Sequence, residues 1–166
     1  MYFQNALQTL EKNKTFKDWK KAHKHCKLSY GFLAIDPQLP SDWQLGYYDN
    51  KKDTITTFAM QQGKFVDSRE DKVLKKKGAK VLPIDIKKVK LNVEQVLELV
   101  DKFQKKEYPN ESSMKTIIII QKLVKLGNVW NITIVTRSFK TINMKIDAEK
   151  GKVKQHSIAS LLQKKK

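Results

Sequence analysis

The sequence predicts an α+β fold in which a helix packs on a curved antiparallel β-meander, with two similar units of this kind in tandem. Two observations lead to this prediction. Residues 92–158 show one capped amphipathic helix pattern followed by short alternating strands that turn residues separate. A similar but vaguer order of helix and strands precedes it in residues 1–66. Consecutive strands with short turns form an antiparallel meander, and its apolar face must be covered by the helix.

Length and composition are those of a globular protein. With 166 residues, of which 40% are hydrophobic, the chain can bury one core or two small cores that share an interface. The single cysteine, Cys26, argues against an internal disulfide framework and a multi-cysteine zinc site.

The sequence contains no evident membrane or export segment. No apolar run approaches the roughly 20 residues of a membrane-spanning helix, and no secretory signal is evident. We therefore expect a cytoplasmic protein without a transmembrane segment. Export is left open because a leader could have been removed, and so is the oligomeric state.

The first unit, residues 1–66, contains a lysine-rich helix. Thr15 is the predicted N-cap, with an acidic residue three positions later. An apolar stripe and a lysine face occupy neighbouring arcs of this helix at about 100° per residue. The stripe is Phe16, Trp19, His23 and Cys26, and the lysine face is Lys17, Lys20, Lys21, Lys24 and Lys27. The lysine face is either a solvated surface or a docking face for an anion.

Strands complete the first unit. A β-rich stretch at residues 28–35 is followed by a hairpin with arms at residues 43–48 and 54–60, and by a short strand near Phe65. Residues 67–90 are interpreted as a lysine-rich linker with a short helix near residues 68–76 and an extended arm at residues 81–86. This linker carries the second candidate anion- or partner-binding group, Lys75, Lys76 and Lys77.

The second unit, residues 91–166, ends in a basic tail. Asn92 and Gln95 form a capping-box pattern in which Asn replaces Ser or Thr. Apolar residues then follow at core-face spacing as far as Phe103, and Pro109 stops the helix. Strands are predicted at residues 115–124, 129–136, 139–146 and 152–158, with a turn at residues 147–151 before the last.

The two halves can be superimposed on their tryptophans. Trp43 and Trp130 each open a predicted strand. In each half this strand is preceded by a helix and one strand, and it is followed by a turn and a strand that contains Thr. Both tryptophans are therefore predicted to be structural. This pattern favours an internal repeat.

The second half resembles the PepSY family over residues 91–158. The family pattern is a helix, a strand, a Trp or Tyr that opens the next strand, and a strand ending in Asp-Ala-x-x-Gly-Lys-Val, which matches residues 147–153. In such a turn, Asp147 can hold backbone amides while Gly151 takes a positive φ. The resemblance implies a cystatin-like fold and a non-catalytic role. The first half lacks this ending and would be a degenerate second copy.

The residues that commonly carry catalysis form no recognisable set. His23 and His25 fall on different faces of a helix, so they lack the one-face arrangement of helical metal sites. Cys26 has no triad partner in the sequence pattern and is interpreted as a small buried apolar residue. No Gly-rich phosphate loop is present. We therefore predict a protein that is not an enzyme and that carries no cofactor and no metal.

Charge leaves two functions open. The net charge of +17 favours polyanions, yet all basic residues except Arg69 and Arg137 are lysines, whereas base readout favours arginine. The first hypothesis is a binding or regulatory module of PepSY-like type that holds a protein or peptide. The alternative is a protein that binds nucleic-acid phosphates non-specifically through its lysine faces. Tyr30 and Phe32 partly match an RNA-recognition signature, but they are interpreted as sharing one strand face.

Overall fold

A computed structural model describes residues 2–75 and 77–162. Within these residues the chain forms three α-helices, one 3-10 turn and eight strands. The helices are α1 (Phe3–Lys12), α2 (Lys14–Ala22) and α3 (Val93–Glu107), and the 3-10 turn is Ile86–Lys88. The strands are β1 (Lys27–Ile35), β2 (Gln44–Asp49), β3 (Thr54–Gln61), β4 (Lys64–Lys72), β5 (Ser113–Leu123), β6 (Gly127–Thr136), β7 (Lys140–Asp147) and β8 (Val153–Ser160).

All eight strands belong to one antiparallel sheet in the order β4-β3-β2-β1-β5-β6-β7-β8. Each half contributes a four-stranded meander, and the first strands of the two meanders, β1 and β5, pair at the centre of the sheet. One buried core contains side chains from all three helices and from the sheet. The predicted α+β class and antiparallel pairing are therefore confirmed.

Several predicted elements differ from the observed ones. The short helix near residues 68–76 is wrong, because residues 64–72 form β4 and pair with β3. Its charged side chains suit an edge strand, which they protect from pairing with other chains. The N-cap of α2 is Asn13 rather than Thr15, since the Asn13 side chain accepts a hydrogen bond from the Phe16 amide. In α3 the predicted capping box of Asn92 and Gln95 is confirmed.

Three aromatic rings join the two halves of the core. Phe3 from α1 lies 5.4 Å from Trp43 and 6.3 Å from Trp130, measured between ring centroids, and the two tryptophans are 6.3 Å apart. All three side chains are buried. The two tryptophans that sequence comparison singled out therefore meet in one cluster around Phe3.

The turn between β7 and β8 is held by Asp147. Its Oδ1 accepts hydrogen bonds from the backbone amides of Glu149 and Lys150, at 2.9 and 2.8 Å. Gly151 has φ +75°, a conformation that glycine adopts without steric cost. The other carboxylate oxygen lies 2.9 Å from Lys154 Nζ. Backbone amides and one lysine thus share the charge of Asp147.

This arrangement makes part of the stability dependent on pH. Burial raises the pKa of Asp147, but Lys154 and the two amides outweigh it and lower the pKa below its usual 3.8. The stabilisation is therefore complete above pH 3.8 and is lost as the pH falls through the lower folded value. We expect the difference in unfolding free energy between wild type and Asp147→Asn, measured in urea, to shrink as the pH is lowered from above 3.8 through the folded-state pKa of Asp147. A pH-independent difference would contradict this.

The sheet has an open face that the helices do not cover. A Cβ atom added to Gly31 of β1 would lie 2.5 Å from the Phe3 ring. Because Phe3 belongs to α1, Gly31 faces the helix side of the sheet. The neighbouring Tyr30 points to the opposite side, where its hydroxyl is 2.6 Å from Thr57 Oγ1 and its ring covers Gly46. Phe32 alternates onto the same face as Tyr30.

Gly46 has no room for a side chain beneath Tyr30. A Cβ at this position would lie 2.0 Å from Tyr30 Cε1. We expect Gly46→Ala to lower the free energy of unfolding by about 1–3 kcal/mol, the usual cost of overpacking. In a Tyr30→Leu background, which lacks the obstructing ring, Gly46→Ala should recover part of this loss when urea unfolding is compared with that of Tyr30→Leu alone. No recovery would show that the cost arises elsewhere.

Residues 80–91 pass around one end of the sheet. Leu82 forms a β-bridge with Lys122, and the Ile84 amide donates to the Leu28 carbonyl at 2.9 Å. Farther along, Val89 is buried in the core on the helix side. The predicted extended arm therefore connects β4 to α3 by crossing from the open face to the helix face.

Candidate functional site

A groove on the helix side brings together all five lysines of the predicted lysine face. It has a volume of about 590 Å³. We call it the lysine groove. It is lined by Leu7, Glu11, Phe16, Lys17, Lys20, Lys21, Lys24, Cys26, Lys27, Leu28, Tyr47 and Ile86.

The floor of the lysine groove is apolar and well packed. Phe16 is buried, and its ring centroid lies 5.2 Å from that of Tyr47 and 5.1 Å from that of Phe58. Tyr47 and Phe58 are themselves in edge contact at 5.7 Å. Burial raises the pKa of the Tyr47 phenol, and Glu11 adds to this, so the phenol stays neutral. The floor is a preformed apolar surface beneath a cationic rim.

The lysines of the rim have different roles. Lys17, Lys24 and Lys27 are exposed, and Lys21 lies 3.6 Å from Asp18 in a solvent-exposed ion pair. By contrast, the Lys20 ammonium caps the end of α2.

Lys20 Nζ donates to the carbonyl oxygens of His23, Lys24 and Cys26, at 3.3, 3.1 and 2.6 Å. A positive charge at this end of a helix is favourable because the last carbonyls lack partners there. Burial, with a smaller contribution from Lys27, lowers the pKa of Lys20. Lys20 is therefore mainly structural, and the exposed lysines supply the available charge.

The second predicted lysine group does not join the groove. Lys75 Nζ lies 2.7 Å from Asp53 Oδ1 and 5.6 Å above the centre of the Tyr48 ring. Its charge is therefore locally compensated. Lys77 is not part of the groove lining. Lys76 lies outside the described residues, as do residues 163–166 at the end of the predicted basic tail.

A polar cluster that no sequence pattern indicated lies beside the groove. His25 Nε2 is 3.0 Å from Asp49 Oδ2 and 3.8 Å from Cys26 Sγ. The pairing of β1 with β2 places Lys27 opposite Tyr48. This register brings Asp49, the next residue of β2, close to His25 and Cys26. Cys26 is 1% exposed, as expected for a buried residue.

The charge state of this cluster follows from its surroundings. Burial raises the pKa of Asp49, but hydrogen bonds from His25 and from the amides of Lys51 and Lys52 outweigh it and lower the pKa to about 2. Burial and the neighbouring Asp49 raise the pKa of the Cys26 thiol. The cluster thus combines a carboxylate with a protonated thiol.

The open face carries two depressions. One, of about 410 Å³, is lined by apolar side chains that include Tyr30, Phe32 and Ile119. The other, of about 490 Å³, is bordered by Arg69 and Asp71 of the edge strand. The second depression carries both signs of charge, whereas the first is lined by two lysines, Lys80 and Lys122, and by no acidic residue. Neither gathers as many lysines as the lysine groove, which has five.

The fold has a counterpart among solved structures. A crystal structure of a "putative lipoprotein" from Clostridium difficile 630 matches with a TM-score of 0.56 over 90% of this chain and 97% of that one. Sequence identity is 13%, so the similarity is one of fold. No family model and no curated protein matches the chain. In the part of the chain that the structure describes, no helix has the length and apolar character needed to cross a membrane.

Proposed function

We propose that this protein is a non-enzymatic binding module of PepSY-like type that holds an acidic segment of a protein or peptide partner in the lysine groove. The observation that carries the proposal is the convergence of Lys17, Lys21, Lys24 and Lys27 around an apolar floor. Opposite charge attracts a partner to the rim, and the floor offers a place for one of its apolar side chains.

The two parts of the groove contribute differently to binding. An exposed lysine–carboxylate pair is worth about 0–1 kcal/mol and weakens in salt. Burial of one Leu or Phe side chain on the floor is worth about 1.5–3 kcal/mol. The apolar anchor therefore supplies most of the affinity of a short segment. The lysines select for acidic neighbours and speed the encounter.

The geometry beside the groove favours binding over catalysis. A Cys–His relay uses both ring nitrogens, one for the thiol and one for the carboxylate that orients the ring. Here the Cys26 sulfur and the Asp49 oxygen both face Nε2 of His25. The thiol is also buried and its pKa is raised, whereas a reactive cysteine needs a lowered pKa and access.

The arrangement of the two halves supports two tandem cystatin-like units. Each half places helical structure before a four-stranded meander. The second strand of each meander is β2 in the first half and β6 in the second. Trp43 directly precedes β2, and Trp130 lies in β6. In this proposal the PepSY-like unit covers residues 91–158 and the first half is its degenerate copy, whose meander and first helices form the groove.

Nucleic-acid binding is the competing function because the net charge is +17. Single-stranded nucleic acid is held by aromatic stacking beside positive charge. The lysine groove lacks an exposed aromatic ring, since Phe16 and Tyr47 are buried. Tyr30 lies on the open face, where two lysines, Lys80 and Lys122, line the same depression, and it is away from the five groove lysines. This separation favours a protein partner.

Three fluorescent probes separate these functions. The first is a short acidic peptide with one central Leu, the second is the same peptide with Ser in place of Leu, and the third is a single-stranded oligonucleotide. We expect the Leu peptide to bind about ten- to 150-fold more tightly than the Ser peptide, the worth of one buried side chain. Equal binding of the two peptides, or a preference for the oligonucleotide, would contradict the proposal.

A further inference from the structure

We propose that His25, Cys26 and Asp49 form a binding site for a divalent transition-metal ion, Zn²⁺ by ligand type. The ligand atoms would be His25 Nε2, Cys26 Sγ and a carboxylate oxygen of Asp49. These atoms all lie within 4.8 Å of one another. Nitrogen, sulfur and oxygen donors together match the ligands of zinc sites, and three protein ligands leave a fourth position for water.

The separations between donors suit one shared ion. Zinc bond lengths of about 2.0–2.3 Å at tetrahedral angles put nitrogen and oxygen about 3.3 Å apart, and nitrogen and sulfur about 3.6 Å apart. The observed separations from His25 Nε2 are 3.0 Å to Asp49 Oδ2 and 3.8 Å to Cys26 Sγ. Both neighbours face the same ring nitrogen, which is the arrangement that a common metal ion requires. The third pair, Cys26 Sγ and the Asp49 carboxylate, lies within 4.8 Å, and a bound ion would draw these two atoms together.

The protein already holds the carboxylate in position. Asp49 Oδ1 accepts hydrogen bonds from the amides of Lys51 and Lys52, at 2.8 and 3.1 Å. These bonds leave Oδ2 directed at His25. Outer contacts of this kind orient metal ligands and contribute strongly to affinity.

Charge balance and access are also suitable. On binding, Zn²⁺ would displace the Cys26 proton, and the resulting thiolate and the Asp49 carboxylate would together neutralise the ion. The His25 side chain is 31% exposed, which gives an ion a route to the buried sulfur and carboxylate.

The experiment uses the full chain after dialysis against a chelator. Zn²⁺ is titrated against a chromophoric competitor, and Co²⁺ is used separately as a spectroscopic probe. We expect one Zn²⁺ per chain and a thiolate-to-Co²⁺ charge-transfer band in the wild type. Cys26→Ser should abolish the band, and Cys26→Ser and His25→Gln should each weaken Zn²⁺ binding at least tenfold.

His23→Gln is the matched control, because His23 lies in the same segment but bonds the Trp19 carbonyl at 2.8 Å instead. It should leave metal binding unchanged. The proposal is overturned if the wild type shows no thiolate band, a result that requires no variant to fold. It is equally overturned if Cys26→Ser and His25→Gln both bind Zn²⁺ as tightly as the wild type. Neither result depends on the acidic partner.

Discussion

Trp130→Ala is expected to lower the free energy of unfolding by about 3–5 kcal/mol, the range for removing a buried aromatic side chain. Trp130 is 0% exposed, and its ring contacts both Phe3 and Trp43. Its loss would therefore leave a cavity where the two halves of the core meet. Because the free energy of unfolding of a small protein is only about 5–15 kcal/mol, this one substitution would remove a large fraction of it.

Urea unfolding followed by fluorescence and circular dichroism measures this cost. Leu74→Ala is the matched control, since Leu74 is 100% exposed, and it should change stability by less than about 0.5 kcal/mol. A cost for Trp130→Ala below about 1 kcal/mol would show that the two meanders do not depend on their shared aromatic cluster.

The double variant Lys17→Glu with Lys24→Glu is expected to weaken binding of the acidic Leu peptide by roughly five- to 150-fold. Two favourable charges become two repulsive ones, a change of about 1–3 kcal/mol for exposed pairs. Both lysines line the groove and are exposed. Lys20 is left intact because it caps α2, so its replacement would confuse stability with binding.

Lys102→Glu with Lys125→Glu is the matched control. Both lysines are exposed, they lie on α3 and on the turn before β6, and the net charge changes by the same amount. We expect this pair to alter binding by less than about twofold in buffer of physiological salt, where screening is strong beyond about 8 Å. Equal losses in both double variants would mean that net charge, and not the groove, attracts the peptide.

The sequence predicted best those elements whose signals are local. The capping box of Asn92 and Gln95 and the apolar spacing after it define α3 within a few residues. The lysine face was visible in part, because helical periodicity places Lys17, Lys20 and Lys21 together on α2. The predicted helix was too long, since α2 ends at Ala22 and Lys24 and Lys27 follow it in the turn and in β1. What periodicity could not show was the apolar floor, since Leu28, Tyr47 and Ile86 come from other segments.

The misassigned residues were those whose structure depends on distant partners. Residues 67–72 carry too many charges for a strand pattern, yet pairing with β3 at one edge of the sheet makes them extended. Asp49 reaches His25 only through the register of β1 and β2, and the sequence contains no local signal for it.

The turn motif behind the PepSY resemblance has a simple physical basis. At Asp147 the side chain bonds the amides two and three residues later, and a residue with positive φ follows at Gly151. The turn after Asp49 repeats this geometry, with φ +55° at Asp53. Turn shape is therefore shared by both halves, and the family resemblance depends on the sequence of residues 91–158 as a whole.

Chemical-shift mapping shows where the acidic peptide binds on the protein. Unlabelled acidic Leu peptide is titrated into ¹⁵N-labelled protein, and the amide signals that move are assigned. We expect shifts concentrated in α2 and in the residues that complete the lysine groove, such as Leu28 and Tyr47. Shifts concentrated instead around Tyr30 and Ile119 on the open face, with the groove signals unmoved, would contradict this expectation.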